Sequence, residues 1–285
     1  MCQRGKSGRR ELKTRNRATE VWHPFSCSFQ LAPVQLQFEH CLACRQGSVA
    51  PLKFILNAPD IEMRISWLPT IAGAAVLGTV IRAAFFTPLE AKQGAAQKIF
   101  YIHVPSAWVA FLAFFLVAVA SGVYLWIRDP RLDRFAESSA EVGVVFTTVV
   151  LITGPLWAKP IWGTYWAWWD VRLVSTLFLW FIYVSYIVLR GAVESPALRA
   201  RYSAVLGILG ALLIPFIHLS VYLFATMHPM PIVGKPSAPS LPIEMLMTLL
   251  LSLVSFTLLY FAFVRSRYRY AGERDAVAAR KEGNA

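Results

Sequence analysis

Read for apolar runs, the chain falls into two unequal parts. From about residue 65 onward, blocks of roughly twenty apolar residues alternate with short polar segments, the pattern of a chain whose solvent is lipid. Six spans are predicted: Ile65 to Phe86, Val104 to Ile127, Val142 to Ala158, Leu173 to Leu189, Tyr202 to Ala225 and Met245 to Val264. The third and fourth sit at the lower bound of about 17 residues needed to cross the hydrocarbon. Arg82 falls inside the first span, where snorkelling toward an interface is the default expectation. The predicted fold class is an all-α integral membrane protein, with a six-span domain over 63–270 and a cytoplasmic polar tail over 271–285.

Composition agrees: 56% of the residues are hydrophobic and 15% charged, against about 25% charged in a soluble domain. The net charge of +12 would suggest nucleic acid, but the basic residues lie in the N-terminal stretch and at helix ends, where they set orientation. One set of ends carries Arg64, Arg128, Arg131, Arg134, Arg190, Arg199, Arg201, Arg265, Arg267, Arg269, Arg274, Arg280 and Lys281. The opposite set carries Lys92, Lys98, Lys159, Arg172 and Lys235. The positive-inside rule therefore predicts cytoplasmic termini and outward loops at 87–103, 158–172 and 226–242, facing the periplasm in a bacterial inner membrane.

Residues 1–62 do not match the rest. They are basic, lack the apolar core of a signal peptide, and hold all four cysteines, Cys2, Cys27, Cys41 and Cys44. Met63 opens M-R-I-S-W-L-P and is expected to be the true start, leaving 1–62 as a disordered or mis-called extension. The Cys41–Cys44 pair has C-x-x-C spacing, but Arg45 follows where haem attachment needs histidine, and there is no second pair for zinc.

The unusual residues gather in the three outward loops. From Trp157 to Arg172 the chain reads W-A-K-P-I-W-G-T-Y-W-A-W-W-D-V-R, with five of the ten tryptophans. Trp162, Trp166 and Trp169 at i, i+4 and i+7 would form one stripe on a helix, with Tyr165 and Trp168 beside it, so a short interfacial helix is expected. An aromatic belt places one or two such residues at a helix end. Five in one loop, closed by Asp170 and Arg172, make a flat π-surface beside a cation, suited to a large planar ligand with acidic groups. The other two outward loops each hold a histidine, His103 and His228, each followed closely by a proline, Pro105 and Pro229, that fixes the backbone. Paired imidazoles can hold a haem iron from both faces. His218, ten residues before His228 and within a span, is a reserve ligand or a packing residue.

The segment W-G-T-Y-W-A-W-W-D resembles the tryptophan-rich signature of the haem-handling proteins of cytochrome c maturation, which include the haem exporter protein C (CcmC), CcmF and CcsA types. Six spans, the Trp-rich loop between the third and fourth, and one outward histidine on each side of it resemble the CcmC type most closely, over about residues 63–270. The resemblance implies non-covalent, transient haem b with His103 and His228 as axial ligands, and a platform of Trp162, Gly163, Trp166, Trp168, Trp169 and Asp170, with Arg172 placed to pair with a propionate. It also implies delivery to a CcmE-like haem chaperone, with a CcmA/CcmB-like ABC transporter and a small CcmD-like subunit as partners. The family often has a Trp-Trp pair before the second histidine and Gln after it; here Leu223, Phe224 and Pro229 stand there.

Two other readings are a CcsA-like cytochrome c synthase subunit and a membrane b-type cytochrome, whose paired histidines would lie in facing spans. Hydrolase and kinase readings have no support, since the phosphate loop, H-E-x-x-H and G-x-S-x-G patterns are all missing.

Overall fold

The structure is a computed structural model that describes residues 67–224, 226–230 and 241–283. The expectations for 1–62, with the Cys41–Cys44 pair and the Met63 start, lie outside the described residues. All six expected spans are present as helices long and apolar enough to cross a membrane. The first is α1 (Trp67–Ile81), which runs into a π-turn at Arg82–Phe86. A 3-10 turn at Ala95–Ile99 leads into α2 (Phe100–Ile127). Then come α3 (Pro130–Trp162), α4 (Val171–Ala192), α5 (Pro196–Ala211) continuing as α6 (Leu213–Leu223), and α7 (Ile243–Gly283).

Several helix ends lie well outside the apolar runs. The third span is not short: α3 has 33 residues and α7 has 41, lengths of about 50 and 60 Å at 1.5 Å per residue against about 30 Å of hydrocarbon. Their polar stretches continue the helix beyond the apolar layer, and the polar residues 271–283 belong to α7. Local signals set the boundaries. Asp129 accepts from the Arg131 amide and Pro130 occupies the first turn of α3, while Gly163 ends it at φ 76°.

The core forms around α2. Among its buried positions are the small residues Ser106, Ala110, Ala113, Ala120 and Ser121, which let neighbouring helices approach closely. Gly143 on α3 supplies the matching depression: a Cβ there would stand 2.5 Å from the Phe114 ring. Phe114 in turn stacks on Tyr183 of α4 at 3.6 Å, and Tyr183 donates its hydroxyl to the Gly207 carbonyl on α5. Ser139 donates to the Ala113 carbonyl and accepts from Tyr260 of α7. Arg82 does not simply snorkel: its Nε donates to Thr248 of α7 at 3.1 Å, and Thr87 bonds the same hydroxyl. A cation in lipid is tolerated here because a second helix supplies an acceptor.

At the end of the bundle that carries the basic helix ends, the extended polar halves of α3 and α7 are joined by ions. Arg190 pairs with Asp133 and Glu137, and Arg274 pairs with Glu137.

Candidate functional site

At the other end, His103 and His228 face each other. His103 lies in the first turn of α2, packed over Gly154 of α3, and its Nδ1 is 2.9 Å from Thr153 Oγ1. Thr153 spends its one hydroxyl hydrogen on the Val149 carbonyl at 2.7 Å, so toward His103 it accepts. The network therefore assigns the Nδ1–H tautomer to His103, with the lone pair on Nε2. His228 lies in the loop after α6. Its Nδ1 is 3.1 Å from the Pro229 carbonyl, which can only accept, so this ring too carries its proton on Nδ1. Burial pushes the His228 imidazole down to about 4; the Arg172 cation adds to the effect and the Pro229 carbonyl opposes it. At neutral pH it is an uncharged ligand.

The two ring centroids are 6.4 Å apart with planes inclined by 33°. Two metal–nitrogen bonds of about 2 Å, each extended by roughly 1 Å of ring radius, put the centroids of two imidazoles on one metal about 6 Å apart. Among the described residues no group of three or more His, Cys, Asp or Glu side chains could hold a bare metal ion. The pair thus suits a metal whose other ligands arrive with it, as in a porphyrin.

Both histidines line a cavity of about 280 Å³ together with Trp108, Trp157, Trp162, Trp166, Arg172 and His218. Trp157 and Trp162 meet edge to face at 5.0 Å, and Trp157 donates to Gln93 at 2.9 Å. Trp166 Nε1 and Arg172 Nη1 are buried with no hydrogen-bond partner among the described residues. Two such donors on one cavity wall fit an acidic ligand group, since a buried donor left without an acceptor costs about 1–3 kcal/mol. His218 is exposed on α6 rather than tucked into the bundle, yet it borders the same cavity.

The expected interfacial helix is absent. Residues 163–170 are irregular, because Pro160 weakens the end of α3, Gly163 takes the left-handed C-cap conformation, and Asp170 caps the following helix. The tryptophans consequently do not share one face. Trp162 and Trp166 border the cavity, whereas Trp168 and Trp169 are 72% and 71% exposed and off its wall. Gly163 serves the turn. Leu223 and Phe224 are exposed as well, while Pro229 and Met230 line the cavity beside His228.

Asp170 has a different place from the one its neighbours suggested. It is fully buried. Its Oδ1 accepts from the Arg172 and Leu173 amides and caps α4; its Oδ2 accepts from the Met227 amide at 2.8 Å. One carboxylate thus ties the end of the Trp-rich loop to the residue before His228. Thr153, which sets the His103 tautomer, gave no signal in the sequence.

Asp170→Asn separates the two tasks of that carboxylate. The amide oxygen can still cap α4, but the NH₂ group would face the Met227 N–H, donor against donor. Hydrogen exchange at Met227 is expected to quicken by about tenfold or more, with α4 still protected. Unchanged exchange at Met227 would refute the clip.

A family model described as "Heme exporter protein C" matches residues 53–281. The chain is 39% identical over 196 residues to "Heme exporter protein C" of Bradyrhizobium diazoefficiens, covering 68% of this chain and 74% of that protein. It is 35% identical over 186 residues to the Haemophilus influenzae protein of the same name, covering 65% and 74%.

Proposed function

The chain belongs to the heme exporter protein C family, and we propose that it binds haem b between His103 and His228 at the periplasmic membrane surface and hands it to a CcmE-like chaperone during cytochrome c maturation. The observation that carries this reading is the histidine pair: two imidazoles, each with Nδ1 tied to an oxygen, with ring centroids 6.4 Å apart. A hydrogen bond at one ring nitrogen raises the basicity of the other and orients the ring, as at metal-ligating histidines generally.

The surroundings support a held and released ligand. The cavity is at the low end of ligand-pocket volumes, which run from about 300 Å³, so only part of a porphyrin would be gripped and the rest left open to an acceptor. Trp166 Nε1 and Arg172 Nη1 offer donors for a propionate, a charge-assisted contact on the arginine side. All four cysteines precede residue 63, so the membrane domain has no thiol for a thioether, which supports non-covalent binding there. Release would then require His103 and His228 to give up their bonds to the iron as the acceptor supplies its own ligand, with no covalent bond within the chain made or broken. The exposed Trp168 and Trp169 offer the chaperone an aromatic surface next to the open edge. Within the same reading, a CcmA/CcmB-like ABC transporter and a CcmD-like subunit are the partners in the membrane, and both termini are cytoplasmic.

The test is the absorption spectrum of the protein purified in mild detergent from a haem-replete host. The expected result is a Soret band with the low-spin, six-coordinate signature of two nitrogen ligands. A protein that carries no haem, or only five-coordinate haem, would overturn the paired-histidine assignment.

A further inference from the structure

The end of the bundle away from the histidines holds a second cavity, of about 200 Å³, bordered by Glu137, Glu141, Tyr186, Arg190, Arg199 and Arg274. At about 30 Å³ per liquid water it has room for roughly half a dozen waters, more than a phosphate group needs. Three donors on its wall have no hydrogen-bond partner among the described residues: Tyr186 Oη, Arg190 Nε and Arg199 Nε. Tyr186 is 1% exposed and Arg190 7%. The Arg190 guanidinium lies beside the Tyr186 ring, 5.8 Å from its centroid, and neither the Tyr186 hydroxyl nor Arg190 Nε finds an acceptor there. A buried donor needs an acceptor, and three around one space call for a ligand with several acceptor oxygens.

The carboxylates of the wall do not meet that need. Glu137 uses both oxygens on Arg190 and Arg274. Glu141 is engaged by Arg267, and the fork of Arg190 is filled by Asp133. With those ions balanced, Arg199 is left as a cation without an ion pair among the described residues, so the wall carries a net positive charge. The surrounding helix ends are basic too, with Arg128, Arg131, Arg134 and Arg201 close by in sequence.

We propose that this cavity is a binding site for a phosphate group, supplied by an anionic lipid headgroup or by free phosphate. Guanidinium N–H groups and a tyrosine hydroxyl match phosphate oxygens, and basic pockets between helices at a membrane face take anionic headgroups. The site is independent of haem.

The test compares thermal unfolding of the wild type and the Tyr186→Phe/Arg199→Gln variant in nanodiscs. Neither substitution touches the Asp133–Arg190–Glu137–Arg274 ions. One arm titrates inorganic phosphate into phosphatidylcholine nanodiscs at constant ionic strength. The other replaces half of the phosphatidylcholine by phosphatidylglycerol. The wild type is expected to be stabilised in at least one arm, and the variant to need about tenfold more phosphate for the same increment, or to gain less than half of the wild-type increment from phosphatidylglycerol. Stabilisation by the lipid alone identifies a headgroup site; stabilisation by free phosphate alone, or by both, identifies a site for the oxyanion itself. Equal increments in wild type and variant, or none in either, would show that the cavity holds only water and overturn the proposal. The increment is the readout, so a lower baseline in the variant does not blur it, and Tyr186→Phe alone, which removes a single oxygen, repeats the comparison should the double variant not fold.

Discussion

Replacing His103 and His228 together by alanine is expected to leave the purified protein without a Soret band, at less than about a tenth of the wild-type haem content for each ligand lost. With both imidazoles gone, the wall keeps Arg172 and a single further histidine, His218, too few ligands for a six-coordinate iron held by two imidazoles. The single variants should differ. His103 is set by two packed helices, with Thr153 of α3 fixing its tautomer, whereas His228 sits on a loop tied down through Met227 and Asp170. His228→Ala should therefore retain weakly bound haem on His103, in a five-coordinate, high-spin form that imidazole in the buffer returns to low spin. His103→Ala removes the better-positioned ligand and should lose more haem. A six-coordinate spectrum that survives in the double variant would move the iron to His218, the remaining histidine on the cavity wall, and sink the surface assignment.

The spans, the Trp-rich loop and the two histidines could be read from the chain because each depends on local composition. Twenty apolar residues form a spanning helix whatever surrounds them, since lipid leaves the backbone no other partner. The helix ends could not be read from hydropathy. Asp133, Glu137 and Glu141 are too polar for a span, and they are helical because Arg190, Arg267 and Arg274, distant in sequence, neutralise them. The loop conformation departs from its periodicity for another reason. The spacing of Trp162, Trp166 and Trp169 suggests a helix, but Pro160, Gly163 and Asp170 are a stop and a start, and they outweigh periodicity over eight residues. The role of Asp170 followed from neither signal, because its second partner, Met227, is 57 residues away.

Arg190 is where a single substitution should do most damage to the fold. By charge counting it is one more basic residue fixing orientation; in the structure it is 7% exposed and donates to both oxygens of Asp133, at 2.6 and 2.9 Å, and to Glu137 at 3.0 Å. Asp133 and Glu137 are one turn apart on α3, so the planar fork of a residue near the end of α4 locks two helices together. Arg190→Leu removes the cation and strands Asp133, which has no other cation within bonding distance among the described residues; Glu137 keeps Arg274. Breaking a buried pair from one side costs about 3–5 kcal/mol, a large share of the roughly 5–15 kcal/mol that holds a typical fold. The variant is expected to be recovered in low yield and to melt many degrees below the wild type in detergent. Arg190→Lys keeps the charge but cannot bond both carboxylates in one plane, so it should fall between the two. Adding Asp133→Asn to Arg190→Leu should recover part of the loss, because the stranded charge goes with it, and the coupling in that cycle measures the ion pair. A melting temperature for Arg190→Leu within a degree or two of wild type would mean that water, rather than the arginine, carries the charge of Asp133, and the helix lock would have to be abandoned.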